Sequence, residues 1–459
     1  MKAWLPDFIY TNARFQSGVA LVADDHGRIE GLSADPEVLR TAERLPNRAI
    51  LPGLVNVHSH SFQRAIRGRT EHRTGAGSDS FWTWRDAMYH AANALSPDDI
   101  YDCARMAFLE MLANGITAVG EFHYVHHQSG GARYDDPNLL ARQVIRAARE
   151  TGLRIALLRT AYVRAGWRKE PNPGQARFIT GSPDEFIRHT EALTASLDEP
   201  DLAWVGVAPH SVRAVPLPYL RQIVEYARAS GLKVHMHVSE QPAEIDACLA
   251  EHGMSPIELL HRHGLLGPNF TGIHAIHIDS EEIGYLADAR ARIGACPTTE
   301  RNLGDGIGPG EEWTAAGVPT CFGSDSNIQI DLLEDAREFE YHLRLKRLER
   351  AVLDEGTERS SLARRLFECA TETGAASIGA PSGSLEPGLP ADFFSVDLND
   401  PSIAGADADS LLPAIVFSAG RGAIRDVVVA GKPILREGRH PLQDEIVQRF
   451  TALQKRLWS

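Results

Sequence analysis

With 459 residues, the chain has room for one large barrel plus a smaller module, since α/β barrels routinely exceed the ~150 residues of a typical domain. Apolar residues make up 43% and charged residues 24%, ordinary globular usage, and no apolar run approaches the ~20 residues that a membrane span needs, so a soluble protein is expected. The net charge of −14 disfavours nucleic acid and anionic membranes as partners, and an anionic substrate would need a local basic pocket.

The start, Met1-Lys2-Ala3-Trp4-Leu5-Pro6-Asp7, lacks the long apolar stretch of a secretory signal. Cysteines 103, 248, 296, 321 and 369 form neither a disulfide framework nor a C-x-x-C pattern. Both features point to the cytoplasm. Residues 1–50 alternate apolar and polar in short runs such as Ala20-Leu21-Val22-Ala23, broken by Asp24-Asp25-His26-Gly27, and read as a small β unit. From 51 to 380, apolar strands alternate with longer amphipathic segments, the pattern of βα units around a parallel sheet.

The first of these strands, Leu51-Pro52-Gly53-Leu54-Val55-Asn56-Val57-His58-Ser59-His60, ends in two imidazoles. Residues i and i+2 of a strand share a face, so His58 and His60 project together, about 7 Å apart along the backbone. A bare His-x-His is equally an incidental polar pair. A long loop follows, and then Ser96-Pro97-Asp98-Asp99 opens a helix that Gly115 stops. Further strands are expected at 116–122, 153–160, 202–208, 232–238, 270–276, 291–296 and 319–323, making eight, the number of a (β/α)8 TIM-type barrel. Polar residues follow them: His123 and Tyr124, His210, His237 and Glu240, His274 and His277, Thr298 and Glu300, and Asp325. The carboxyl ends of barrel strands are where a convergent site lies.

Residues 381–459 begin turn-rich, with strands at 393–396 and 424–429 and a weakly helical tail. Two or three strands are marginal alone, so the two chain ends are expected to combine into one small composite β-sandwich beside the barrel.

His58, His60, His237 and Asp325 offer three imidazoles and a carboxylate, a set that suits zinc or a borderline ion such as Fe2+. His235 shares a face with His237 but sits deeper, where an interior packing role is expected. The His58-Ser59-His60 strand end, His237-x-x-Glu240, the His274 strand end and Gly323-Ser324-Asp325 together resemble the amidohydrolase superfamily, in its deaminase branch. Within that branch, several stretches resemble the formimidoylglutamate deiminases of histidine degradation. They are Ser61-Phe62-Gln63-Arg64-Ala65, Asp79-Ser80-Phe81-Trp82-Thr83-Trp84-Arg85, Gly120-Glu121-Phe122-His123-Tyr124, Ala208-Pro209-His210-Ser211-Val212-Arg213 and Thr298-Thr299-Glu300-Arg301-Asn302. One departure is Asn327, where a histidine is expected.

The resemblance implies one Zn2+ per subunit held by His58, His60, His237 and Asp325. No lysine follows the fourth strand to bridge a second metal. It also implies Glu240 as proton shuttle, His274 as the group that orients water and stabilises charge, and Asp325 as an aid to the first proton transfer. Zinc acidifies water, which supplies the nucleophile for removing ammonia from an amidine. The implied substrate, N-formimino-L-glutamate, is a small anionic amidine. Arg85 in the long loop and Arg213 after the fourth strand are candidates for its carboxylates, with Gln63, Tyr124 and His210 adding hydrogen bonds. Trp82 and Trp84 are expected to pack that loop, and His126, His127 and His277 to be structural. A homodimer is the family expectation. The competing readings are a deaminase of a cyclic amidine such as a nucleoside or purine, and a catalytically inactive barrel used for binding or assembly.

Overall fold

The computed structural model describes residues 2–73, 81–354, 356 and 359–459. At its centre lie eight parallel strands, Leu54–Ser59, Ile116–His123, Arg154–Ala161, Ala203–Pro209, Val234–Val238, Phe270–His274, Arg292–Ala295 and Thr320–Phe322, each paired with the next. They match the expected eight to within a few residues at each end. The ring closes where the last strand meets the first: Asp325 N–H donates to His58 O at 2.9 Å, and His60 N–H donates to Asp325 O at 3.0 Å. Strands such as Leu54–Ser59 and Ile116–His123 are buried along their whole length, because side chains fill the barrel on one face and helices cover the other.

Local chemistry sets the helix joining the first two strands. Ser96 and Asp99 form a reciprocal capping box at the start of Pro97–Ala113, and Gly115, at φ +77°, takes the left-handed turn into the second strand. The stretch expected as a long loop is instead helical over Phe81–Ala94, with Met88, Tyr89, Ala91 and Ala92 turned inward at helical spacing. Asp79 and Ser80, part of one family-like stretch, lie outside the described residues.

The chain ends share a second sheet. Its central strand, Glu43–Pro52, runs parallel to Lys2–Thr11 and antiparallel to Phe393–Asp397. Ala20–Ala23 and Ile29–Ser33 extend one side, while Ile424–Val429 and Lys432–Leu435 extend the other. The strands expected as a composite sandwich thus belong to one hydrogen-bonded path around their own core, where Trp4 meets Phe393 edge to face at 5.1 Å. A buried ion pair joins this sheet to the barrel: Arg154 Nε lies 2.6 Å from Asp392 Oδ2.

The tail forms a full helix, Gln443–Leu457, that packs against the barrel. Gln454 Nε2 and Trp458 Nε1 both donate to Ala65 O, at 2.9 and 3.1 Å, in the turn that carries Gln63. No helix among the described residues is long and apolar enough to cross a membrane.

Candidate active site

Strand alternation places His58 and His60 on one face, with their rings edge to face at 4.7 Å. One ligand atom each from His58, His60, His237 and Asp325 lie within 4.8 Å of one another, all buried. Asp325 Oδ1 is 3.3 Å from His58 Nε2 and 3.2 Å from His60 Nε2. His60 Nδ1 donates to Phe122 O at 2.9 Å and His237 Nδ1 to His210 O at 3.1 Å. A carbonyl only accepts, so both Nδ1 atoms carry the proton and both Nε2 lone pairs face inward.

Burial pushes His58 down to about 3 and His237 well below the ordinary range, so these rings are neutral, as ligands must be. Burial alone would raise Asp325, but its contacts with the His58 and His60 rings outweigh burial and hold its carboxyl well below the usual range. His58 Nε2 and His237 Nε2 stand 3.1 Å apart, a contact that two neutral lone pairs resist and a shared cation relieves. The donor set fits a divalent cation.

Glu240 and His274 adjoin this cluster. His274 Nε2 is 3.7 Å from Glu240 Oε1 and 3.9 Å from Asp325 Oδ2, and its Nδ1 is 3.2 Å from Glu300 Oε1. Burial acts to lower His274, yet Glu240, the Glu300 hydrogen bond and Asp325 together push it up to about 10. Burial raises Glu240 above the usual carboxylate range.

The cluster opens into a cavity of about 700 Å³, counted with its mouth. Gln63, Arg85, Tyr124, His210 and Arg213 all line it. Gln63 Nε2 donates to Tyr124 OH at 2.8 Å, and Gln63 Oε1 has no partner among the described residues. Arg85 comes from the helix Phe81–Ala94, stacked on Trp82 at 4.5 Å, with its Nε unpartnered among the described residues. Arg213 Nη1 meets neutral oxygens, Ala165 O at 3.3 Å and Tyr162 OH at 3.5 Å.

The sequence profile described as the Amidohydrolase family matches residues 49–434. The chain belongs to that family. This amidohydrolase is 39% identical over 453 residues to formimidoylglutamate deiminase of Pseudomonas aeruginosa, covering 98% of this chain and 96% of that one. The crystal structure of an amidohydrolase from Brucella melitensis superposes with a TM-score of 0.91 at 34% identity, covering 100% of both chains. An adenosine deaminase from Xanthomonas campestris with bound zinc shares the fold, with a TM-score of 0.83 at 21% identity over 99% of this chain and 98% of that one. The family and the deiminase relative make this protein a hydrolase acting on a carbon–nitrogen bond.

Other histidines of the amidohydrolase stay out of the cluster. His235 lies deeper in the barrel with Nε2 on Ser377 O at 3.2 Å, and His126, His127 and His277 hold backbone oxygens of Thr160, Ile179 and Asp305. Thr298 is not in the cavity lining, and its backbone N–H donates to Asp335 Oδ1 at 3.0 Å. Trp82 and Trp84, expected to pack a loop, line the cavity from a helix. Sequence reasoning missed Tyr89, Tyr162, Phe178 and Glu244 in the cavity wall. Tyr162 had a readable signal, since it directly follows the third strand, Arg154–Ala161. Glu244 is buried, which raises its carboxyl to about 7, and its Oε2 accepts Glu240 N–H at 3.3 Å.

Proposed function

We propose that this amidohydrolase hydrolyses N-formimino-L-glutamate to N-formyl-L-glutamate and ammonia in histidine degradation, with one zinc ion per subunit held by His58, His60, His237 and Asp325. The supporting observation is the pairing, in one cavity, of a proton-handling cluster with Arg85 and Arg213, whose contacts described above include no carboxylate. Two guanidinium groups suit a substrate with two carboxylates, because their forked donors match that geometry. The 39% identity to the deiminase agrees with this reading.

Bound zinc supplies a Lewis acid that acidifies water next to the amidine carbon. Glu240 takes the proton of the attacking water and returns it to the departing nitrogen, a task suited to a carboxyl raised by burial. His274 stabilises charge at the tetrahedral carbon through Nε2, which has no hydrogen-bond partner among the described residues. Asp325 assists the first proton transfer. Arg85 and Arg213 take the carboxylates, while Gln63, Tyr124 and His210 orient the substrate. The proposal extends to a cytoplasmic homodimer with segments 1–50 and 381–459 forming the module beside a catalytic barrel of 51–380.

A second reading, deamination of a cyclic amidine such as a nucleoside or purine, draws on Trp82, Tyr89, Tyr124 and Phe178 in the cavity wall, which offer faces for a flat ring. Ammonia release from a substrate panel, with metal analysis that separates zinc from Fe2+ on the same sample, tests both. Release from N-formimino-L-glutamate is expected. Release from a purine or nucleoside with none from the formimino compound would overturn the assignment.

A further inference from the structure

Glu300 stands at the start of the short helix Pro297–Leu303, which follows the seventh barrel strand. Its Oε1 accepts the N–H of Cys296 at 2.8 Å, so the carboxylate is tied back to the backbone at its own helix entrance. The same oxygen lies 3.2 Å from His274 Nδ1, on the neighbouring sixth strand. The helix is itself fixed to the loop that carries Asp325, because Thr299 Oγ1 donates to Ser324 O at 3.1 Å and meets Ser326 Oγ at 2.9 Å. Glu300 is therefore a carboxylate held rigidly between His274 and the Asp325 loop.

His274 needs such a hold. It ends its strand at φ +74° and is followed by Ala275 at φ +51°, both in the left-handed region that residues with a side chain rarely adopt. Its ring stacks on His237 at 5.6 Å and 13°, a face contact that a half-turn flip about Cβ–Cγ would preserve. The Nδ1 bond removes that freedom. Nε2 is then buried with no hydrogen-bond partner among the described residues, 3.7 Å from Glu240 Oε1 and 3.9 Å from Asp325 Oδ2.

His274, Cys296 and Glu300 also lie close enough together to hold a second ion. The hydrogen bonds argue otherwise: Glu300 Oε1 already accepts from two N–H groups, and Cys296 Sγ turns toward Gly294 O at 4.0 Å.

We infer that Glu300 is the positioning residue of His274: by accepting the Nδ1 proton, it fixes the ring so that Nε2 faces the point between Glu240 and Asp325 where the amidine reacts. This rests on the role proposed above for His274.

Glu300→Leu removes the acceptor, while Glu300→Gln retains an amide oxygen in its place. Kinetics are measured on whichever amidine the wild type deaminates, alongside zinc content and crystal structures of both variants. Glu300→Leu is expected to lower kcat about 10- to 100-fold with KM within about twofold, and Glu300→Gln to restore most of that loss. In a His274→Asn background, Glu300→Leu is expected to add no further loss, the signature of a residue acting through His274. The His274 ring in the crystal of Glu300→Leu is expected to be rotated from its wild-type orientation. An unrotated ring, a kcat within twofold of wild type, or a full additional loss in the His274→Asn background would overturn the inference. Failure of N-formimino-L-glutamate alone as substrate overturns only the substrate assignment, since ring orientation is read without it.

Discussion

The side-chain amide of Asn327 donates to the backbone oxygen of His60 at 3.0 Å. The same nitrogen donates to Ser59 Oγ at 3.1 Å, and the amide oxygen accepts Ser324 Oγ–H at 2.7 Å. One residue thus laces the strand end bearing His58 and His60 to the loop bearing Asp325. Its φ of +57° is a conformation that asparagine tolerates better than most side chains. Replacing it by alanine is expected to weaken metal binding about 10- to 100-fold, the usual cost of losing a group that supports ligands. Competition with a chelator checks this, and unchanged affinity would refute it.

Glu240→Gln keeps the shape of the shuttle and removes its basicity. Zinc content should equal that of the wild type while ammonia release falls about 10²- to 10⁴-fold, the range of general acid–base catalysis. Wild-type turnover in this variant would remove Glu240 from proton transfer.

Arg213→Met preserves length and loses the guanidinium. Charged hydrogen bonds contribute about 1.5–3 kcal/mol, so kcat/KM for N-formimino-L-glutamate should drop about 10- to 150-fold with metal content unchanged. An unaltered kcat/KM would place the substrate carboxylates elsewhere.

Removing one partner of the buried Arg154–Asp392 pair strands a charge in the interior. Asp392→Ala is expected to cost about 3–5 kcal/mol of stability, read as a lower Tm, while leaving kcat at low temperature near the wild-type value. An unchanged Tm would show that the two sheets do not depend on this link.

Burial, reinforced by Arg159, pushes His123 down to about 3. An unfolded histidine titrates near ~6.5, so below that pH the unfolded chain binds a proton that the folded one refuses. Stability from this group is full above pH ~6.5 and declines as the pH falls towards 3, on the order of 1 kcal/mol per pH unit. Urea unfolding of His123→Gln should show a shallower loss between pH 6 and 4 than the wild type. Parallel curves would contradict the burial argument.

Much of the barrel was legible because its signals are local. Apolar runs ending in histidines or aspartate mark strands whose tips converge, and Ser96 with Asp99 announces a helix within four residues. The four ligand candidates could be read for the same reason, each standing at or just past a strand end. What escaped depends on contacts made across the fold. The aromatic stretch over Phe81–Ala94 looked like loop because its helical face is defined by the cavity it covers. The partnership of Glu300 with His274 joins different strands, and the bonds of Asn327 exist only because the eighth strand returns to the first.

That return has a consequence for assembly. The barrel is drawn shut by backbone bonds between His58, His60 and Asp325, the same residues whose side chains would hold the ion. A cation there would add a second clasp between the first and last strands, some 260 residues apart in sequence, to the backbone bonds that already close the ring. Metal uptake and the stability of that seam would then be linked, and a chelator is expected to lower the stability of the fold together with the activity.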